Sequence, residues 1–401
     1  MPGKLLLLCL ISFMGFSSSA LAELRVLVIF AHPDEGEIYA GGTTALYTAL
    51  GHKVKFLSIT NGDAGHFSMC PEDLARRRHA EAMKAGETLG LVEYEVLNYH
   101  DGYLKDGQEV RHEIARRIAD WKADVVFSFY PAEGGHNDNM NAGWIVRGAA
   151  ALLHMPNPPL FLYMRDYFTT RFSYIPDIAV RIDGVWETKL KACGAHESQV
   201  LEYNPNLEGV LGEVQASKER QRQFLFNNTY AFSRVTPDIL LALEKWYGRE
   251  VSREVRYVEA FDTAEFGRQV RESELRQLLP MPGYVATVPG NSRSFDTGLD
   301  IEEGEVVEIR AEGEIRWNTG SEESCGPAGA GRFVPSPNKP IPGVNTGALI
   351  GRVGADSADC FYIGPGQKIK VFRSGRLYVG INDDNMADND GAFRVWIRLP
   401  R

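Results

Sequence analysis

A mostly parallel α/β sheet with helices on both faces, followed by an all-β sandwich, is the fold the sequence predicts. Two observations carry it. From Glu23 to about residue 270, short apolar runs rich in β-branched residues alternate with stretches of helical period, and such alternation builds parallel sheets covered by helices. After Tyr284 the texture changes to short alternating runs separated by Gly, Pro, Asn and Asp, which is the turn spacing of sandwiches and barrels.

The elements follow in order. Residues 1–22 read as a cleavable leader: Lys4 supplies the positive end, residues 5–16 the apolar core, and Ala20-Leu21-Ala22 the small-residue cleavage site. A secreted or periplasmic product is expected. That apolar run is short for a bilayer, and no later segment approaches the ~20 apolar residues of a membrane helix. Residues 24–30, 53–60, 94–98, 124–129 and 160–163 read as strands, and 74–89, 110–121, 142–153 and 186–195 as helices. Residues 268–279 are charged and helical, until Pro280, Pro282 and Gly283 break the pattern. The expected division is therefore a first domain over 23–270, a linker over 271–284 and a β-sandwich over 285–401. Within the last, residues 306–311, 368–372, 377–382 and 393–399 read as strands.

Composition narrows the classes. With 401 residues, 44% of them hydrophobic, the chain can bury two cores. The formal charge of −10 becomes −11 once Lys4 leaves with an acid-free leader, which argues against nucleic acid as a partner. Cys70, Cys193, Cys325 and Cys360 remain after Cys9 is removed, an even set that an oxidising compartment can pair in three ways. Their spacing has no zinc-finger pattern.

The chemistry concentrates after the first strand. His32-Pro33-Asp34-Glu35 puts an imidazole and two carboxylates at the strand's carboxyl end, where open α/β sheets keep their ligands. One ion and one water can share them. Further segments follow: Gly41-Gly42, Thr60-Asn61-Gly62-Asp63-Ala64-Gly65, Arg78 with Glu81, His100-Asp101-Gly102, His136-Asn137-Asp138-Asn139 and His196-Glu197-Ser198-Gln199.

In that order these segments resemble the PIG-L or LmbE-like de-N-acetylases, over nearly the whole first domain. The resemblance implies a Rossmann-like domain that binds one zinc ion and removes acetyl groups from N-acetylated sugars or glycans. It further implies that His32, Glu35 and Asn139 occupy the metal-ligand positions, that Asp34 is the general base, and that His136 faces the scissile carbonyl. Asp138 is expected to orient His136, and Arg78 and Asp101 to contact substrate. Two positions depart from the family pattern. Glu35 is one methylene longer than the usual aspartate, and Asn139 offers an amide oxygen where a histidine normally stands. That ligand set is harder than an ordinary zinc site and closer to what Mn or Ca accepts. His66 in the glycine-rich turn is a further candidate to approach the pocket.

In the second unit, residues 382–391 crowd carboxylate and amide oxygens between two β-like segments, a donor set that suits calcium. With Gly347-Ala348-Leu349-Ile350-Gly351 and Ser374-Gly375-Arg376-Leu377-Tyr378, this resembles the calcium-dependent galactophilic lectins of bacteria. The likeness implies Asp383, Asp388 and Asn389 as calcium ligands, completed by a backbone carbonyl near Trp317. No His or Gln for galactose lies in residues 331–340. The sequence thus points to a metal-dependent de-N-acetylase with an appended carbohydrate-binding domain. The alternative is a non-catalytic carbohydrate-binding protein with an altered hydrolase site.

Overall fold

The computed structural model describes residues 23–132, 135–166, 175–281, 284–317, 323–331, 336–354 and 359–398. The leader-like segment 1–22 lies outside them, as do parts of 271–284 and 331–340. Seven described strands form one sheet: β1 (Arg25–Phe30), β2 (Lys53–Thr60), β3 (Glu93–Tyr99), β4 (Val125–Phe129), β5 (Leu160–Met164), β6 (Ile178–Arg181) and β7 (Val258–Gly267). Their order is β3-β2-β1-β4-β5-β7-β6. The first five strands pair in parallel, and β7 runs antiparallel to both β5 and β6.

The continuous apolar run of β1 is explained by burial on both faces. Val26, Val28 and Phe30 join one core with Tyr39, Ala82 and Trp186, while Leu27, Ile29 and Ala31 join another with Ile114, Ile118 and Ile145. Helices α1 (Glu35–Ala49), α2 (Pro71–Leu89) and α5 (Trp186–Cys193) therefore cover one face, and α3 (Gln108–Trp121) and α4 (Asn137–Ala150) the other. The strand order reverses between β1 and β4, which makes the carboxyl ends of those two strands the switch point where such sheets bind ligands.

Helix α1 is absent from the sequence reading because it carries no apolar stripe: Glu35, Glu37, Thr43 and Thr44 are buried along with Tyr39 and Tyr47. It packs so closely that a Cβ at Gly36 would stand 2.5 Å from the rings of Phe30 and Phe56. Its middle is fastened by a buried ion pair. Glu259 of β7 accepts from the amides of Gly42 (2.8 Å) and Thr43 (2.7 Å), and Lys189 of α5 donates to Glu259 (2.6 Å) and to the Ile38 carbonyl (2.7 Å). After α5, short helices continue to Glu254.

The described residues 271–281 are not a loose tether. The helix Glu272–Leu278 buries Leu275, Leu278 and Leu279 in the first core, and the Leu278 carbonyl accepts from the Tyr47 hydroxyl at 2.7 Å. Arg271, Glu272 and Glu274 stay at the surface, Arg276 packs on Trp246 and donates to the Trp246 and Lys245 carbonyls, and the leucines face in. Beyond it, β10 (Val306–Arg316) pairs antiparallel with β16 (Asp390–Arg398), β14 (Gly366–Lys370) and β11 (Ser324–Cys325), and β16 pairs with β8 (Tyr284–Pro289). The second sheet, also antiparallel, joins β13 (Phe361–Tyr362), β12 (Ala348–Val353), β15 (Gly375–Asn382) and β9 (Phe295–Ile301). Ile309, Phe393 and Val395 from one sheet share a core with Leu299, Leu349 and Val379 from the other. Cys70, Cys193, Cys325 and Cys360 all stand as free thiols, so none of the three pairings is formed.

Candidate active site

His32 leaves the end of β1 and is gripped by Glu35 one turn later. Glu35 Oε2 accepts from the amides of Ala31 (3.0 Å) and His32 (2.8 Å), and its Oε1 stands 3.1 Å from His32 Nδ1. The other ring nitrogen, Nε2, is buried 3.0 Å from Asp101 Oδ1 and 3.4 Å from Asp138 Oδ2, aligned for a hydrogen bond with neither. Burial opposes a charge on His32, but Glu35, Asp101 and Asp138 outweigh it and hold the imidazole well above its ordinary pKa. The same contacts hold Asp101 below the usual carboxylate range, against the opposing pull of its burial.

Asp34 caps α1 at φ +155°, a backbone state that non-glycine residues rarely adopt and that concentrates at functional sites. Arg78 holds it there. The buried guanidinium donates to the carbonyls of Gly62 and Pro33, both at 3.2 Å, and lies 3.3 Å from Asp34 Oδ1 and 3.4 Å from Asp101 Oδ2. A Cβ at Gly62 would stand 2.7 Å from that guanidinium, so the glycine is required by close approach. Arg78 makes no i,i+3 pair with Glu81; its neighbour Arg77 takes that partner at 3.1 Å. Burial pushes the Asp34 carboxyl up to about 6, with Arg78 and His196 opposing the rise.

From the other side of the switch point, the loop after β4 delivers His136, Asp138 and Asn139 at the start of α4. The His32 and His136 rings meet edge to face with centroids 4.7 Å apart. The amide of Asp138 donates to His136 Nδ1 at 3.2 Å, while the Asp138 carboxylate accepts from the Gly102 amide at 2.7 Å. Asp138 therefore orients His136 through its backbone, and its carboxylate faces His32 instead. Donor atoms of His32, His136 and Asp138 all lie within 4.8 Å of one another.

The sequence reading missed Asp166, which follows β5. Its Oδ2 accepts from the amides of Gly135 and His136 and from Asn139 Nδ2, each at 3.0 Å, and Oδ1 accepts from the Tyr39 hydroxyl. A carboxylate just past the carboxyl end of a parallel strand was the available signal. Because Asp166 takes Asn139 Nδ2, the Asn139 Oδ1 is left buried without a partner. His66 lies elsewhere: its Nε2 stands 3.1 Å from Glu202 and its Nδ1 accepts from the amides of Ser68 and Met69.

These contacts suit a cation in two ways, one for each nitrogen of His32. On the Nδ1 side, Glu35 Oε1 stands at 3.1 Å, with Asp101 at the other ring nitrogen as carboxylates back metal-bound histidines, and Asn139 Oδ1 is a further buried oxygen without a partner. On the Nε2 side, His136 and Asp138 supply a His-His-Asp set of the kind zinc accepts.

In the β-sandwich, Asp383 Oδ2, Asp388 Oδ1 and Asn389 Oδ1 are each buried without a hydrogen-bond partner. Burial pushes the Asp383 carboxyl up, although the nearby Asn389 amide and a hydrogen bond from the Asp384 amide oppose this.

Comparison with known proteins bears on the first unit most directly. The family model described as PIG-L, GlcNAc-PI de-N-acetylase, matches residues 27–150. The diacetylchitobiose deacetylase of Thermococcus kodakarensis is 31% identical over 194 residues, covering 44% of this chain and 71% of its own. A probable N-acetyl-alpha-D-glucosaminyl L-malate deacetylase 2 of Bacillus cereus is 31% identical over 187 residues, covering 44% of this chain and 84% of its own. Among solved structures, the EclA N-terminal domain, a PllA-like lectin, is similar at 22% identity and a TM-score of 0.24, covering 29% of this chain and 94% of its own.

Proposed function

Because the chain belongs to the PIG-L family of de-N-acetylases, whose members named above are deacetylases of N-acetylated sugars, we propose that it is a metal-dependent hydrolase of the acetamide on an N-acetylated amino sugar or glycan. The observation that carries this reading is the meeting of Asp34, His32 and His136 at the switch point of the sheet. His32, Glu35 and Asn139 would hold a divalent cation, zinc by family and a harder ion by its oxygen donors. When bound, such an ion lowers the pKa of water and polarises the amide carbonyl.

The chain's own residues supply the proton chemistry. Asp34, at about 6, is ionised at neutral pH and takes the proton of the attacking water. Arg78 keeps its carboxylate aimed by holding the turn at Pro33. With His136 Nδ1 occupied as an acceptor from the Asp138 amide, its neutral ring has Nε2–H left to donate a hydrogen bond to the oxyanion, and the proton taken up by Asp34 passes on to the departing amine. The amide C–N bond breaks, acetate leaves, and the amine keeps the proton. Asp101 lies beside this centre and would accept from sugar hydroxyls.

The test is acetate release from β-1,4-linked N-acetylglucosamine oligomers. Asp34→Asn keeps the shape but removes the proton acceptor, so turnover should fall on the order of 10²-fold or more. His32→Ala should shed about one equivalent of transition metal. Unchanged turnover in the first variant would dismiss Asp34 as the base. A second reading, a carbohydrate-binding protein without turnover, is favoured by Asn139 in place of a nitrogen ligand; glycan binding without acetate release by the unaltered protein would establish it. We further propose that Asp383, Asp388 and Asn389 bind calcium, supported by their three unpartnered oxygens, that the sandwich holds carbohydrate, and that the leader directs export.

A further inference from the structure

The outer face of the sheet that contains β14, β10 and β16 is basic, in a chain whose formal charge is −10. Val307, Ile309 and Ala311 of β10 and Phe393, Val395 and Ile397 of β16 point into the sandwich core, so the residues between them face the other way. On that side Lys368 and Lys370 of β14, Arg310 of β10 and Arg394 and Arg398 of β16 are all exposed, with Glu308 and Glu312 as the carboxylates among them. Trp396 stands in their midst. The ladder sets it directly across from Arg310, and Arg394 and Arg398 lie two residues to either side, about 7 Å along the strand. Arg394 Cζ is 5.3 Å from the Trp396 ring centroid. The half-buried indole lines a cavity of about 560 Å³ together with Glu308, Arg310, Glu312, Pro365 and Arg398, a volume within the ~300–1,000 Å³ of ligand sites.

We infer that this groove binds an anionic polysaccharide, a chain of uronic-acid pyranoses, without calcium. The inference rests on the reading of the sandwich as a carbohydrate-holding unit but uses neither the Asp383 loop nor the hydrolase site. Three features choose the ligand. The indole offers a flat apolar surface to the C–H face of a pyranose. Arg310 and Arg398, beside it in the same cavity, match carboxylates in bidentate geometry; Arg310 has Glu308 at 3.0 Å and otherwise projects, its side chain 75% exposed. Glu308 and Glu312 need donors, which sugar hydroxyls supply and phosphodiester groups do not. A nucleic acid therefore suits the cations but not the carboxylates, and a neutral glycan suits the indole but leaves the cations unmatched. The groove is also apart from the Asp383 loop. Asn389 precedes the start of β16 at Asp390, whereas Trp396 lies on the order of 20 Å along that strand.

The test is calorimetric titration of the full chain with α-1,4-linked oligogalacturonate, its fully methyl-esterified form and oligothymidylate, each with chelator present. The acid form should bind, and esterification, which keeps every ring but removes the charges, should weaken it roughly tenfold or more. Trp396→Ala should weaken the acid form about tenfold. Because Trp396 is half-buried, Arg310→Glu with Lys368→Glu repeats the test at exposed positions and should weaken the acid form roughly tenfold or more while changing the ester little. Asp383→Ala with Asn389→Ala should bind the acid form as the unaltered protein does. The inference is overturned if acid and ester forms bind alike, if oligothymidylate binds more tightly than the acid form, if binding requires calcium, or if no form binds. After any of these results, a neutral glycan retained with calcium at the Asp383 loop would leave the carbohydrate reading of the sandwich standing, and its absence would end both.

Discussion

His196 shows how much of this site lies below the surface. Its ring is buried with Nε2 3.2 Å from Glu37 of α1, and Asp34 and Glu81 of α2 act on it as well. Burial alone would lower its pKa, but those carboxylates raise it above the ordinary value. A histidine raised in the folded state contributes stability fully below its unfolded pKa of ~6.5 and loses it as pH climbs through the folded value. His196→Gln should therefore cost about 3 kcal/mol near pH 6 and clearly less near pH 9, as read from urea melts of both proteins; equal costs would show that the pair carries no charge-dependent stability. Nothing local in the sequence announces this. His32 and Asp34 are legible because strand, turn and donors adjoin one another, whereas the partners of His196 and Asp166 meet them only after folding, across 127 residues in the case of Tyr39 and Asp166.

At the scale of elements, what could be read depended on where the apolar residues fall. The parallel strands stand out as apolar runs because both faces are covered, and α2 and α3 because polar and apolar positions alternate on helical period. Helix α1 hides because it buries glutamates, threonines and glycines, and the edge strand β6 and its antiparallel neighbour β7 hide because nothing in their composition sets direction. The turn between β15 and β16 was readable for its oxygen donors and now makes a prediction. Asp383, Asp388 and Asn389 keep unpartnered oxygens in a tight loop, so an ion that binds only the folded loop should stabilise it by ~2.7 kcal/mol at a hundred times its Kd. Scanning calorimetry of the full chain should show one transition rising with millimolar calcium and falling back with chelator, and Asp383→Ala with Asn389→Ala should abolish the rise. A transition indifferent to calcium would reduce the loop to an Asx-rich turn.

Across the whole molecule, the change in texture marks where the parallel sheet gives way to antiparallel strands, but the helix between them leaves no such mark. Charged residues disguise the helix Glu272–Leu278, although Leu275, Leu278 and Leu279 belong to the first core. A chain ending at residue 281 should therefore fold as a stable first unit. One ending at 270 forfeits roughly 2 kcal/mol for each of those side chains and should melt much lower and aggregate; equal melting of the two would return the segment to the role of linker. The ion pair of Glu259 and Lys189 adds an order in time. The catalytic turn is made near the beginning of the chain, yet the carboxylate that fastens the helix behind it lies 217 residues downstream of Gly42. At ~5–20 residues per second, roughly 10–40 seconds of synthesis separate the two. Throughout that interval the motif exists as covalent sequence but not as a shaped centre, and the hydrolase acquires its geometry only when the last strand of its sheet arrives.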